Sequence, residues 1–172
     1  MIHLVSGDIL LTRAQVLAHG VAPGDPMTRG LALDLRERFP ALQKDFHHWC
    51  LVSRPKPGAA WMWGSADGVR IVQLLTQDSA PGRGGRPGRA TLPNVREALR
   101  GLVKMADAEG FTSIALPRLA TGVGGLAWED VLPIVEERLG ALSIPVFVYA
   151  TYRRGKAAEE PFADVTAPSA AP

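Results

Sequence analysis

The sequence holds almost nothing from which a disulfide, a thiolate metal site or a membrane span is built. With one cysteine in 172 residues, Cys50, an intrachain disulfide is excluded and a cysteine-rich metal site lacks its second thiol, so a reducing, cytoplasmic compartment is expected. No run of about 18 consecutive apolar residues occurs, and no membrane-spanning helix or membrane partner is expected. The opening Met1-Ile2-His3-Leu4-Val5 lacks the basic segment, apolar stretch and small-residue cleavage site of a secretory signal. Charge of one sign is also scarce: 19 Lys and Arg stand against 17 Asp and Glu, a net +2. The stretch from Gly155 to Pro172 holds Lys156 against Glu159, Glu160 and Asp164, so the rest carries 18 basic and 14 acidic residues, a net +4. That excess suits an anionic ligand without identifying one. What is present is a composition of 47% hydrophobic and 21% charged residues, which fits one domain with a buried core.

Hydrophobic periodicity alternates between strands and helices. Short apolar runs at 2–5, 16–18, 61–63 and 69–75 read as strands, the last two joined as a hairpin by Asp67-Gly68. The runs at 113–116 and 144–149 have the character of inner strands covered on both faces. Helical stripes recur at Leu31, Leu35 and Phe39, from Leu92 through Leu99 to Ala106, and at Val131, Ile134, Val135 and Leu139. Thr91 is a candidate N-cap; Gly110 and Gly140 are candidate helix stops. Pro133 predicts that the last helix kinks or begins late. The stretch 79–90, with Arg83, Arg86 and Arg89 among four glycines, predicts a mobile basic loop, and 155–172 a flexible, solvated tail after a domain at 1–154. Helices between strands that cannot all pair as hairpins imply an α/β fold in three layers, a mixed, mostly parallel sheet covered by helices on both faces.

Two glycine-bearing loops follow strands and precede helices. Leu116-Pro117 leads into Thr121-Gly122-Val123-Gly124-Gly125, where backbone N–H groups and a helix start can hold an anion such as a diphosphate, or simply make the turn. The spacing is neither that of a Rossmann fingerprint nor that of a Walker loop. The second loop runs from Gly20 through Met27 to Gly30, on the side of an α/β sheet where ligands collect; Gly30 either serves that site or caps the helix that begins with Leu31 and Ala32. Asp8, directly after the first strand, can accept from an exocyclic amine such as that of adenine or cap the following turn. His19 either orients water or a ribose at the loop mouth or is structural.

Taken together, Ser6-Gly7-Asp8-Ile9-Leu10, Leu17-Ala18-His19 with Met27 and Arg29-Gly30-Leu31-Ala32, Leu116-Pro117 with the Gly122–Leu126 loop, and Trp128-Glu129-Asp130-Val131 resemble a macrodomain. The likeness covers roughly Met1 to Thr151 and runs to the branch of terminal ADP-ribose protein glycohydrolase and the antitoxins that strip ADP-ribose from DNA. It implies that Asp8 binds the adenine amine with the backbone of Ile9 beside it. It implies further that Met27 and Gly30 meet a diphosphate from one side and Thr121, Gly122, Val123, Gly124 and Gly125 from the other, with Tyr149 flanking the adenine unless it is only a core aromatic. Ala32, Pro117 and His19 stand in the matched motifs and are taken as ligand-binding with them. The implied ligand is ADP-ribose, free or on protein or nucleic acid. No cofactor or metal is expected, and a monomer is the simpler expectation.

The match fails at one informative place. This branch carries a nucleophilic lysine after the strand corresponding to 69–76; here Gln77 and Asp78 follow, and no Lys lies between Lys56 and Lys104. Gly124 stands where the glycohydrolase has an aspartate, as in the antitoxin members. The chain therefore reads as an ADP-ribose recognition module, with a lysine-independent ADP-ribosyl hydrolase as the alternative and Asp78 the candidate base. The arginines of 79–90 can grip phosphate or only solubilise. Asp25 is a weaker base candidate in an expected solvent-facing loop. His47 and His48, adjacent on a helical stretch at 42–51, lack the spacing of a metal pair, and Trp49, Trp61 and Trp63 are expected to pack the core or sheet edge.

Overall fold

Strand residues alternate between two apolar faces, and that alternation builds the molecule. A computed structural model describes residues 1–80 and 87–162. In chain order the elements are β1 (Ile2–Gly7), β2 (Val16–Val21), α1 (Gly30–Arg38), α2 (Pro40–Ser53), β3 (Ala60–Gly64), β4 (Arg70–Leu75), α3 (Leu92–Glu109), β5 (Ile114–Pro117), α4 (Trp128–Leu139) and β6 (Val146–Tyr152). The six strands form one sheet in the order β1-β6-β5-β2-β4-β3. All neighbours are parallel except the hairpin β3–β4. The mixed, mostly parallel sheet read from the sequence is thus present, with β5 and β6 as inner strands.

Val16, Ala18, Val72, Leu74, Ile114, Leu116, Val146 and Val148 face α3 and α4, where Val95, Leu99, Leu102, Val131 and Val135 complete one core. The intervening Leu17, Val21, Ile71, Leu75, Ala115 and Phe147 face Leu35, Leu42 and Phe46 of α1 and α2 in a second core. With apolar material on both sides, these strands read as unbroken hydrophobic runs. Trp63 is buried on edge strand β3 and its indole N–H donates to Asp45 (2.8 Å), while Trp49 and Trp61 stack at 5.6 Å between centroids, the packing role expected of them.

Helix boundaries follow their capping chemistry. The Thr91 hydroxyl accepts from the Asn94 N–H (3.2 Å), and α3 ends at Gly110, whose φ of 64° suits a left-handed cap. Gly140 also ends its helix, though in right-handed geometry. Of the two alternatives expected at Pro133, a kink or a late start, the late start is corrected: the helix begins at Trp128 and runs through the proline. Pro133 lies in the second turn, so its missing N–H deprives only the Glu129 carbonyl of a donor. Of the stretch expected as a solvated tail, residues 155–162 are mostly exposed but are held to the body at Ala158 and at Glu160, which is only 7% exposed; 163–172 lie outside the described residues.

Candidate ligand-binding site

A cavity of about 890 Å³ opens where the parallel strands end. Gly7 and Asp8 leave β1 there, His19 and Gly20 belong to β2, Gln77 follows β4, Pro117 closes β5, and Tyr149 to Tyr152 come from β6. One wall is Asp25 with Thr28 to Ala32 and Asp34; the opposite wall is Arg118 with Ala120 to Gly124. The C-terminal edge of a parallel sheet collects such loops because each strand must there turn into its helix.

Of the expected ligand residues, Asp8, Ile9, His19, Gly30, Ala32, Pro117, Thr121, Gly122, Val123, Gly124 and Tyr149 line this one cavity. Met27 and Gly125 do not. Met27 is fully buried and packs in the core beside α1, with the Gln73 side-chain amide donating to its sulfur (3.4 Å). A backbone φ of 56° turns it inward, so its role is to shape the loop. Its nearest counterpart is Ala120 at φ 63°, in the opposite loop. Of the three non-glycine residues in left-handed geometry, Arg54 caps the end of α2, and the other two, Met27 and Ala120, lie in the two loops that form the opposite walls, strain of a kind found at ligand sites.

Each wall offers backbone donors. Arg29 precedes α1 without a side-chain capping bond, and Gly30, with φ 55°, opens the helix at the cavity. The first N–H groups of α1 are thereby left to an anion in the cavity. Gly30 thus opens the helix and lines the site at once. Opposite, Gly125 N–H donates to the Gly122 carbonyl (3.1 Å) and Leu126 N–H to that of Ala120 (3.0 Å), which fixes the turn. A Cβ on Gly124 would come within 2.6 Å of the Ala120 oxygen, whereas one on Gly122 would meet nothing within 4 Å. The first glycine is demanded by the fold; the second faces open cavity. Arg29 and Arg118 add positive charge from the two walls, and neither forms a salt bridge among the described residues.

At the other end, the Asp8 carboxylate accepts the Leu10 N–H (3.0 Å) and the Gly155 N–H (2.9 Å), one on each oxygen. It therefore caps its own turn, one of the two roles read from the sequence, and each oxygen keeps a lone pair for a further donor. Among the described residues the Ile9 N–H meets no protein acceptor. Tyr149 is not at the end of the last strand, as expected, because β6 continues to Tyr152; among the described residues its buried hydroxyl has no hydrogen-bond partner, and burial with the nearby Glu160 and Asp8 carboxylates pushes its pKa up to about 12.

His19 lies within β2, not after it, and is 2% exposed. Its Nε2–H donates to the Gln73 carbonyl oxygen, and burial lowers its pKa to about 4 despite that bond. The imidazole is thus neutral near pH 7. The unfolded chain takes up this proton first, so stability is full above pH 6.5 and is lost as pH falls from there toward 4. Equilibrium urea unfolding at pH 7 and pH 4.5 is expected to show wild type losing on the order of 2 kcal/mol more than His19→Gln over that interval.

Two base candidates are corrected. Asp78 is exposed, does not line the cavity and accepts from the Asn94 amide (3.1 Å). The cause is the antiparallel bridge between Gln77 and Ala90: one residue points in and the next points out. Gln77 is the one inside, 4% exposed, its amide donating to the Gly88 carbonyl (3.1 Å). Asp25 lines the cavity and is not solvent-facing as expected, but its oxygens accept the Ala22 (3.0 Å) and Met27 (2.8 Å) N–H groups and fold its own loop. Arg89 is exposed; Arg83 and Arg86 lie outside the described residues. Residues not singled out from the sequence, Arg118 and Thr28 among them, follow the positional rule that found Asp8: they stand just past a strand or just before a helix.

Comparison with known proteins agrees with this geometry. The Macro domain family model matches residues 80–135. The chain is 28% identical, over 85% of its length, to a DNA ADP-ribosyl transferase-DNA ADP-ribosyl glycohydrolase fusion protein of Thermosipho africanus, of which the match spans 41%. It is 26% identical over 84% of its length to the Homo sapiens ADP-ribose glycohydrolase OARD1, spanning 88% of that protein. The solved macrodomain of Thermus aquaticus DarG superposes with a TM-score of 0.74 at 26% identity, covering 87% of this chain and 98% of that one. Sheet order, loop placement and these likenesses converge: the chain has a macrodomain-like fold and is similar to proteins named as DNA ADP-ribosyl glycohydrolases and to the ADP-ribose glycohydrolase OARD1.

Proposed function

We propose that the cavity binds ADP-ribose, free or as the terminus of an ADP-ribosylated protein or nucleic acid, and that the domain acts as a recognition module. The carrying observation is the arrangement in one cavity of an acceptor-only carboxylate, Asp8, and two walls of backbone donors, each with an arginine that forms no salt bridge among the described residues. An adenine amine fits the first and a diphosphate the second. The relatives named as ADP-ribosyl glycohydrolases support the same ligand class. The test is release or retention: the protein is incubated with ADP-ribosylated protein, DNA and RNA, and bound and freed ADP-ribose are measured. Binding without release supports the module.

Those relatives' names also favour a second reading, hydrolysis of the ADP-ribosyl bond. Gln77, the residue inside the cavity at the end of β4, is an amide and cannot form a covalent adduct with a sugar. Borohydride is therefore expected to trap no enzyme–sugar species, whatever the turnover. Water would be the nucleophile, and with the Asp78 carboxylate outside the cavity, Asp78→Ala is expected to leave any release rate within about 2-fold, where removal of a true general base costs about 10²-fold or more. A trapped adduct, or a large loss in Asp78→Ala, contradicts this reading of the site.

A further inference from the structure

After β6 the polypeptide crosses back over the end of β1. The Arg153 N–H donates to the Gly7 carbonyl (3.0 Å), and the Asp8 N–H donates to the Lys156 carbonyl (2.7 Å). The Gly155 N–H donates to Asp8 Oδ2 (2.9 Å). Ala158 then lies so close to Gly7 that a Cβ there would stand 2.7 Å from the Ala158 nitrogen. The stretch is anchored farther on by Glu160, 7% exposed, whose carboxylate accepts the Thr12 hydroxyl and the Arg13 N–H (2.8 Å). Phe162 sets its ring edge to Phe147 (5.1 Å) beneath the Arg13 guanidinium (5.0 Å). A buried, doubly hydrogen-bonded carboxylate ties this otherwise mostly exposed stretch to the body.

We propose that residues 153–162 form a strap that orients the Asp8 carboxylate and thereby sets the purine selectivity of the cavity. The proposal rests on the reading that ADP-ribose binds with its adenine at Asp8. Two donors fix the rotation of that carboxylate: Leu10 N–H on one oxygen, which the turn itself supplies, and Gly155 N–H on the other, which only the strap supplies. A 6-aminopurine offers its exocyclic amine to an acceptor-only group; a 6-oxopurine offers an oxygen at that place and its N1–H beside it. A carboxylate held in one orientation distinguishes the two. Freed at Oδ2, it can turn toward the N1–H, and the distinction weakens. Glu160 acts on this through the strap: its carboxylate is held by Thr12 and Arg13 and lies near the Tyr149 hydroxyl, and among the described residues it makes no hydrogen bond to Asp8; it is a positioning residue.

The test uses the full chain and two variants that loosen the strap from opposite directions. Glu160→Ala removes its anchor, and Gly7→Ala places a methyl group against Ala158. Calorimetric titration compares ADP-ribose with its inosine counterpart, which differs only at the 6-position. Wild type is expected to prefer ADP-ribose by about 10-fold or more, the scale of one hydrogen bond to a charged group. Each variant is expected to lose about that factor for ADP-ribose and less than about 2-fold for the inosine analogue, with Glu160→Gln intermediate because its amide retains one acceptor. Folding is checked by circular dichroism, and Gly7→Ala decides alone if Glu160→Ala does not fold. Equal losses for both nucleotides, or an unchanged preference in a folded variant, overturn the strap. Absence of binding to either nucleotide in wild type overturns the reading of the cavity itself.

Discussion

Gly122→Val is expected to lower ADP-ribose affinity by about 100-fold or more while the melting temperature moves by no more than a few degrees, because the added methyl groups occupy space that the ligand's diphosphate needs and the fold does not. Gly122 has no left-handed φ to protect and no heavy atom within 4 Å of a built Cβ, yet it lines the cavity. The substitution therefore separates ligand from scaffold. Titration calorimetry beside a thermal melt checks it. A folded variant that binds normally would show that the loop is only a connection between β5 and α4.

Asp8→Ala carries the second large effect, at the opposite end of the site. Removal of the carboxylate is expected to weaken ADP-ribose by about 1–3 kcal/mol, the scale for a buried polar group left without its partner. AMP should weaken in parallel, since both ligands share the adenine. The Leu10 and Gly155 N–H groups also lose their acceptor, so a modest fall in stability accompanies the loss of affinity. Equal affinities of wild type and Asp8→Ala would remove Asp8 from the site.

Features whose signal is local were legible in the sequence. Alternation and turn chemistry marked the strands and the β3–β4 hairpin, and Thr91 marked its helix, because those structures are decided within a few residues. The two glycine loops and Asp8 were legible for the same reason, each standing at a strand's end. What was not legible depends on distant partners or on direction. Glu160 sits in an Ala/Pro/Glu-rich stretch that reads as solvated, and Thr12 and Arg13, almost 150 residues earlier, supply the donors that make its burial tolerable. Met27 stands in the loop expected at the ligand but is itself buried in the core, and the positive φ it adopts there leaves no trace in the sequence. Asp78 and Gln77 exchanged importance through a single bridge to Ala90, a pairing across a loop that no periodicity records.

One cavity, formed by Asp8 and the two glycine loops, is proposed to take ADP-ribose, and calorimetric titration of the protein with ADP-ribose, with ADP, AMP and single-stranded RNA as competitors, decides whether it does. The expected result is one saturable site per chain, competed by ADP and more weakly by AMP, and indifferent to RNA. Absence of saturable ADP-ribose binding, or its displacement by RNA and not by ADP, would contradict the account.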